Sequence, residues 1–337
     1  MRIALDAMGG DFAPDRIVAG AVEAAASARG AYEIVLVGDQ AVLNEQFGKL
    51  IHGLPIEIAH ADEVIAMDEA PASALRRKKT SSISVAMELH RTGEVDAVIS
   101  AGNTGAAMGS ALLTLGRLKG VSRPAIASLF PSTRGASLVL DVGANTEVTV
   151  QNLMEFAVMG SLSAERVFGI TDPMVGLLSI GEEGSKGTEM VVESHAKLLD
   201  SGLNFIGNVQ GQDILTGAAD VIVCDGFTGN IVLKFTEGIT SFLTAGVKRG
   251  LSKSPIAYFG ALLMTPVLDE IKKDLDYEEY GGAPLLGING VVIICHGGSS
   301  VKAIRNAVAI ASRMAEEQLN EHIKARLEEI NVADLQR

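Results

Sequence analysis

Short runs of small and β-branched apolar residues alternate along this chain with longer segments whose apolar residues recur every three or four positions. The runs lack a polar face, so they read as strands buried on both sides of a sheet, and the longer segments as helices packed on it. The pattern predicts strands over 2–5, 32–37, 56–59, 125–130, 136–140, 175–180, 205–209 and 291–295, with two more ending just before Gly102 and Gly226. Helices are expected over 40–47, 150–168 and 230–251, near Pro14, after Ser81 or Ser82, and from Ser300 through Ala315. Only Pro131-Ser-Thr-Arg-Gly135 separates two of the strands, too short for a crossover, so that pair should be antiparallel. Tyr280 to Gly290 reads as a glycine-proline loop, and the segment beyond about Glu316 as a charged tail. No linker or break in composition divides the chain, so the expectation is a single α/β domain over 1–337 with a helical hairpin projecting at about 240–285.

One stretch occurs twice. Asp96-Ala-Val-Ile-Ser-Ala-Gly-Asn-Thr-Gly-Ala106 matches Asp220-Val-Ile-Val-Cys-Asp-Gly-Phe-Thr-Gly-Asn230, with Gly102, Thr104 and Gly105 aligned on Gly226, Thr228 and Gly229. Each copy is a strand, a tight glycine turn and a helix start, and the free N–H groups of a helix start suit an anion. Glycine with φ > 0 and threonine as a cap explain either copy alone. Two copies in register favour a site for a ligand carrying phosphate. The loop Gly181-Glu-Glu-Gly-Ser-Lys-Gly-Thr188 adds backbone donors and one cation, Lys186, although it lacks the P-loop spacing and also reads as a surface loop. Phosphate is expected among Asn103, Thr104, Lys186 and Asn230, with Asp6 at another strand-to-glycine turn.

Composition narrows the partners. The chain has 337 residues, of which 41 are acidic and 28 basic, giving a net charge of −13 that opposes a sequence-independent grip on nucleic acid. Against that background Arg76-Arg77-Lys78-Lys79 stands out, either as a solvated face or as a landing surface for an acidic partner. Cys224 and Cys295 each follow an apolar run and read as buried thiols of a reducing compartment. A nucleophilic Cys295 helped by His296 is disfavoured, because adjacent strand residues face opposite ways. No histidine pair has zinc spacing, and no cofactor or metal is expected. The uncharged segment Pro255 to Leu268 is too short to span a bilayer. It suits either burial in a core or dimer interface, or a hairpin tip touching a membrane through Ile256, Tyr258, Phe259, Leu262 and Leu263 beside Lys248, Arg249 and Lys253.

Six motifs in order resemble one family: Asp6-Ala-Met-Gly-Gly-Asp11, Ile99-Ser-Ala-Gly-Asn-Thr-Gly105, Leu140-Asp-Val-Gly-Ala-Asn145, Cys224-Asp-Gly-Phe-Thr-Gly-Asn230, Tyr280-Gly-Gly-Ala-Pro-Leu-Leu-Gly287 and His296-Gly. Together they resemble the bacterial acyl-ACP:phosphate acyltransferases. The resemblance implies attack of inorganic phosphate on the thioester of a long-chain acyl-acyl-carrier-protein, giving acyl phosphate for phospholipid synthesis. It further implies a three-layer α/β/α fold with a mostly parallel sheet, like phosphotransacetylases and isocitrate or isopropylmalate dehydrogenases. A homodimer in the cytoplasm is implied, bound peripherally to the membrane, where a glycerol-phosphate acyltransferase would be a partner. On this reading Lys186, Asn230 and Asn103 act in catalysis. Asp6, Gly102, Thr104, Gly105, Gly226, Thr228, Gly229 and His296 hold phosphate or substrate, and Arg76, Arg77, Lys78 and Lys79 receive the carrier protein. A short-chain acyl-CoA phosphotransacylase and a membrane-docked scaffold are the alternatives.

Overall fold

The computed structural model describes residues 1–27, 30–251, 260, 264–265 and 277–334. The chain begins β1 (Arg2–Asp6), α1 (Asp15–Ser27), β2 (Glu33–Gly38), α2 (Gln40–Ile51), β3 (Ile56–His60), α3 (Pro71–Arg77), α4 (Ser82–Arg91), β4 (Ala97–Ser100) and α5 (Thr104–Thr114). It continues β5 (Ala125–Ser132), β6 (Gly135–Leu140), α6 (Val150–Arg166), β7 (Val175–Leu178), α7 (Glu189–Leu199), β8 (Phe205–Val209), α8 (Gly211–Thr216), β9 (Val221–Val223) and α9 (Gly226–Leu251). Last come β10 (Ala283–Leu286), β11 (Val292–Ile294), α10 (Val301–Glu316) and α11 (Leu319–Asp334).

These strands form one sheet in the order β3-β2-β1-β4-β11-β10-β5-β6-β9-β7-β8. Neighbours are parallel except where β10 meets β11 and β5, and where β5 meets β6 as its short connection predicts. Consequently β1 to β5 and β11 point one way, while β10, β6, β9, β7 and β8 point the other. The two Gly-x-Thr-Gly turns therefore leave the sheet in opposite directions.

Helices cover both faces, which explains the absence of polar alternation in the strands. On one face Ile3 and Leu5 of β1 share a core with α1, α2, α6, α7, α10 and α11; on the other, Ala4 shares one with α3, α4, α5 and α8. This is a three-layer α/β/α architecture. Two expectations need correction. The glycine-proline loop contains β10, which pairs with β11 through Ala283 and Pro284 and with β5 through Leu285 and Leu286. The ladder changes sides at the proline, where a missing N–H costs least. The charged tail is α11, whose Leu319, Ile323 and Leu327 are buried at four-residue spacing.

His90 ties α4 to the start of β11. Its Nδ1 lies 2.9 Å from Val95 O, and its Nε2 accepts from Val291 N at 2.9 Å, so the fold requires the neutral ring with the proton on Nδ1. Burial holds its pKa below the ordinary 6.5. As pH falls below 6.5 the unfolded chain takes up this proton first, so stability drops until the depressed folded value is passed. The urea midpoint of His90→Gln should fall less between pH 7 and pH 5 than that of the unmodified protein. Equal slopes would remove His90 from the acid response.

Candidate functional site

The turn after β4 is held by Asn103, not Thr104. Asn103 Oδ1 accepts from Ala106 N at 3.0 Å and caps α5, while its Nδ2 donates to Met67 O and Glu69 O, both at 3.0 Å. In the second copy Asp225 caps α9, accepting from the Thr228 N–H and hydroxyl at 2.8 Å each. Asn103 and Thr228 are thus committed to local structure. The Thr104 hydroxyl and the Asn230 amide have no hydrogen-bond partner among the described residues.

The four glycines of the turns do not take up positive φ, as the sequence had suggested. They allow close approach instead. A Cβ at Gly102 would stand 3.2 Å from Asp6 Oδ2, and one at Gly226 would stand 2.7 Å from Asp141 Oδ2. Each repeated turn therefore packs on an aspartate at the end of the neighbouring parallel strand: Asp6, the last residue of β1, and Asp141, the residue after β6. Asp6 accepts from Ser100 Oγ at 2.7 Å, and Ser100 Oγ in turn accepts from Gly102 N at 3.1 Å. Asp141 accepts from the N–H groups of Ile126, Gly143, Ala144 and Asn145. Burial pushes both carboxyls above the usual carboxylate range, with Ser82 and Ser100 offsetting part of it at Asp6 and the turn amides part of it at Asp141. The aspartates set the shape of the turns from behind.

In front lies a cavity of about 230 Å³ over the α5 side of the sheet. Thr104 from the first repeated turn, Asn230 from the second, Gly143 from the turn after β6, and His296 and Ser299 from the turn after β11 line it, with Ser128 of β5 and Lys234 and Glu237 of α9. His296 is exposed, and its Nδ1 accepts from Gly298 N at 3.1 Å, so in the neutral ring Nε2 carries the proton and can donate. The cavity cation is Lys234, paired with Glu237 at 2.9 Å, a residue that sequence reasoning missed. Lys186 sits on an exposed loop after β7 and does not line the cavity. Asp6, Asn103 and Gly102 line a separate small pocket behind the first turn. Both thiols are buried, and burial pushes Cys295 up to about 12 and Cys224 higher still.

The basic run is not a uniform patch. Lys78 turns inward to Glu69 and to Val64 O, and Arg77 stands 3.6 Å from the same carboxylate, whereas Arg76 and Lys79 are exposed. Ile256, Tyr258, Phe259, Leu262, Leu263 and Lys253, on which the membrane expectation falls, lie outside the described residues. No described helix is long and apolar enough to cross a membrane. One face of α9 carries Asn230, Leu233, Lys234 and Glu237 into the cavity. Its opposite face exposes Phe227, Ile231, Phe235, Ile239 and Phe242, spaced by four, four, four and three.

The fold is shared with solved phosphotransacetylases. One from Streptococcus pyogenes superposes with a TM-score of 0.62 at 20% identity over 94% of each chain, and one from Staphylococcus aureus with 0.61 at 20%, also over 94% of each. A 4-hydroxythreonine-4-phosphate dehydrogenase from Klebsiella pneumoniae follows at 0.53 and 14%, covering 94% of this chain and 99% of that one. Residues 1–322 match the family described as fatty acid synthesis protein. Phosphate acyltransferase of Moorella thermoacetica is 52% identical over 95% of this chain and 94% of its own, and that of Pelotomaculum thermopropionicum 50% identical over 98% and 96%. The chain belongs to this acyltransferase family.

Proposed function

We propose that the chain transfers a long-chain fatty acyl group from acyl-acyl-carrier-protein to inorganic phosphate, giving acyl phosphate for phospholipid synthesis. The convergence of Thr104, Asn230 and His296 on one cavity, each with an unengaged polar group, carries this reading. Phosphate is ionised near neutral pH and needs positioning more than activation. Its oxygen forms a bond to the thioester carbonyl, the C–S bond breaks, and the thiolate leaves to be protonated from solvent, which its free pKa of about 8.5 permits. Donors aimed at the developing oxyanion lower that barrier. Burial of Cys224 and Cys295 as neutral thiols supports direct transfer over an acyl-cysteine intermediate.

Arg76 and Lys79, on or beside α3, remain available to meet an acidic carrier protein. The exposed apolar face of α9 supports a homodimer, with peripheral membrane contact through the segment that follows. Incubation with palmitoyl-carrier-protein should release free thiol only when phosphate is present. Release from acetyl- or butyryl-coenzyme A alone would favour the short-chain reading, and no release from either would favour a scaffold.

A further inference from the structure

A second cleft, of about 370 Å³, is lined by Met108, Leu112, Arg117, Ser122, Arg123, Pro124, Ala144 and Asn145. We infer that it binds the phosphate of the thioester-bearing arm of the acyl donor, while the thioester lies in the first cavity; this rests on the acyl-transfer reading above. Two cations line the cleft, and among the described residues neither Arg117 nor Arg123 has a carboxylate partner. In a chain of net charge −13, such unneutralised guanidiniums supply the local field that an anionic arm requires. Guanidinium also matches phosphate oxygens through paired N–H donors.

The loop presenting them is fixed from beneath. Glu155, buried in α6, accepts from the Ser122 N–H at 2.9 Å and the Ser122 hydroxyl at 2.6 Å. Leu118 N donates to Gly287 O at 2.9 Å, and Arg117 Nη1 donates to Ser122 O at 2.5 Å. Arg123 is left exposed on a loop that is itself held, a geometry that favours ligand contact over self-neutralisation.

Two features join this cleft to the first cavity. Val142 and Gly143 line the cavity while Ala144 and Asn145 line the cleft, so one turn is the wall of both. On β5 and the residue before it the same division falls between Ile126 and Pro124. A ligand crossing this wall would carry a reactive carbonyl at one end and an anion at the other, which describes an acylated phosphopantetheine. Met108 and Leu112 would pack against the apolar part of such an arm. Both belong to α5, on which α3 rests at Gly105 and Gly109, placing Arg76 and Lys79 within the same helical layer.

The test compares palmitoyl-phosphopantetheine with palmitoyl-pantetheine, which lacks the phosphate, as donors to inorganic phosphate. Arg123→Ala should raise the KM for palmitoyl-phosphopantetheine about tenfold and leave the KM for palmitoyl-pantetheine and for inorganic phosphate unchanged. Arg123→Lys, which keeps the charge but not the planar fork, should fall between. An equal rise with both donors, no rise, or a rise confined to inorganic phosphate would overturn the inference while leaving acyl transfer standing. If the unmodified protein releases no thiol from either donor or from palmitoyl-carrier-protein, the acyl-transfer reading fails and this inference with it.

Discussion

Gly229→Ala should lose about 4 kcal/mol of stability or more, which is in the exceptional range for one substitution. A Cβ there would lie 1.9 Å from the Asp141 carbonyl oxygen, 2.9 Å from its carbon and 3.0 Å from Cys224 Sγ. The obstacle is backbone, and it is pinned: Asp141 N donates to Cys224 O at 3.1 Å, and its side chain collects three turn N–H groups and that of Ile126 in β5. Gly105 holds the equivalent place in the first copy, yet the only tight contact of a Cβ there is with the Pro71 ring, at 2.6 Å from Cγ, on the short α3. That helix can shift, so Gly105→Ala should cost about 1–3 kcal/mol, as overpacking usually does. Urea unfolding of both variants decides the matter. Equal losses would mean that the second turn is as deformable as the first, and the tight seat of Asp141 would have to be abandoned.

That asymmetry marks the limit of what the sequence made visible. The layered fold was legible because β1, β2, β4 and β9 are apolar on both faces, and such runs have few other uses. The antiparallel β5–β6 pair was legible from its short connection alone. That same pair reverses half the sheet, since the two antiparallel contacts of β10 cancel; what was not legible is β10 itself, hidden by glycine and proline in a stretch that looks like a loop. The repeated turns were legible at a constant offset, Gly102 to Gly226 and Ser100 to Cys224. Their aspartate partners were not recognised as equivalent, because Asp6 and Asp141 are separated by a different interval. Lys186 drew attention as a cation among glycines, whereas the cation in the cavity, Lys234, lies in a helix where lysine is unremarkable. Local pattern reports the element a residue belongs to. Which residues share a cavity is decided by strand order, and that is set by contacts between distant segments.

Asn230→Asp should reduce kcat/KM for inorganic phosphate on the order of 10²-fold or more, with the KM for the acyl donor nearly unchanged. The two side chains have the same shape, so the cavity keeps its form. What changes is that a neutral amide able to donate becomes a carboxylate that only accepts. Asn230 stands in the second turn of α9 beside Gly143, exposed to the cavity, and has no partner among the described residues that could neutralise the new charge. Lys234 is already paired with Glu237. Two like unit charges 4 Å apart repel by about 4 kcal/mol near a protein surface, which is ample for the expected loss. An acid near a helix N-terminus does not weaken the helix, so reduced activity should not come with a lower unfolding midpoint. Asn230→Ala, which removes the donor without adding charge, should lie between the two. Full activity of Asn230→Asp at low phosphate would place the anion elsewhere, away from the second repeated turn.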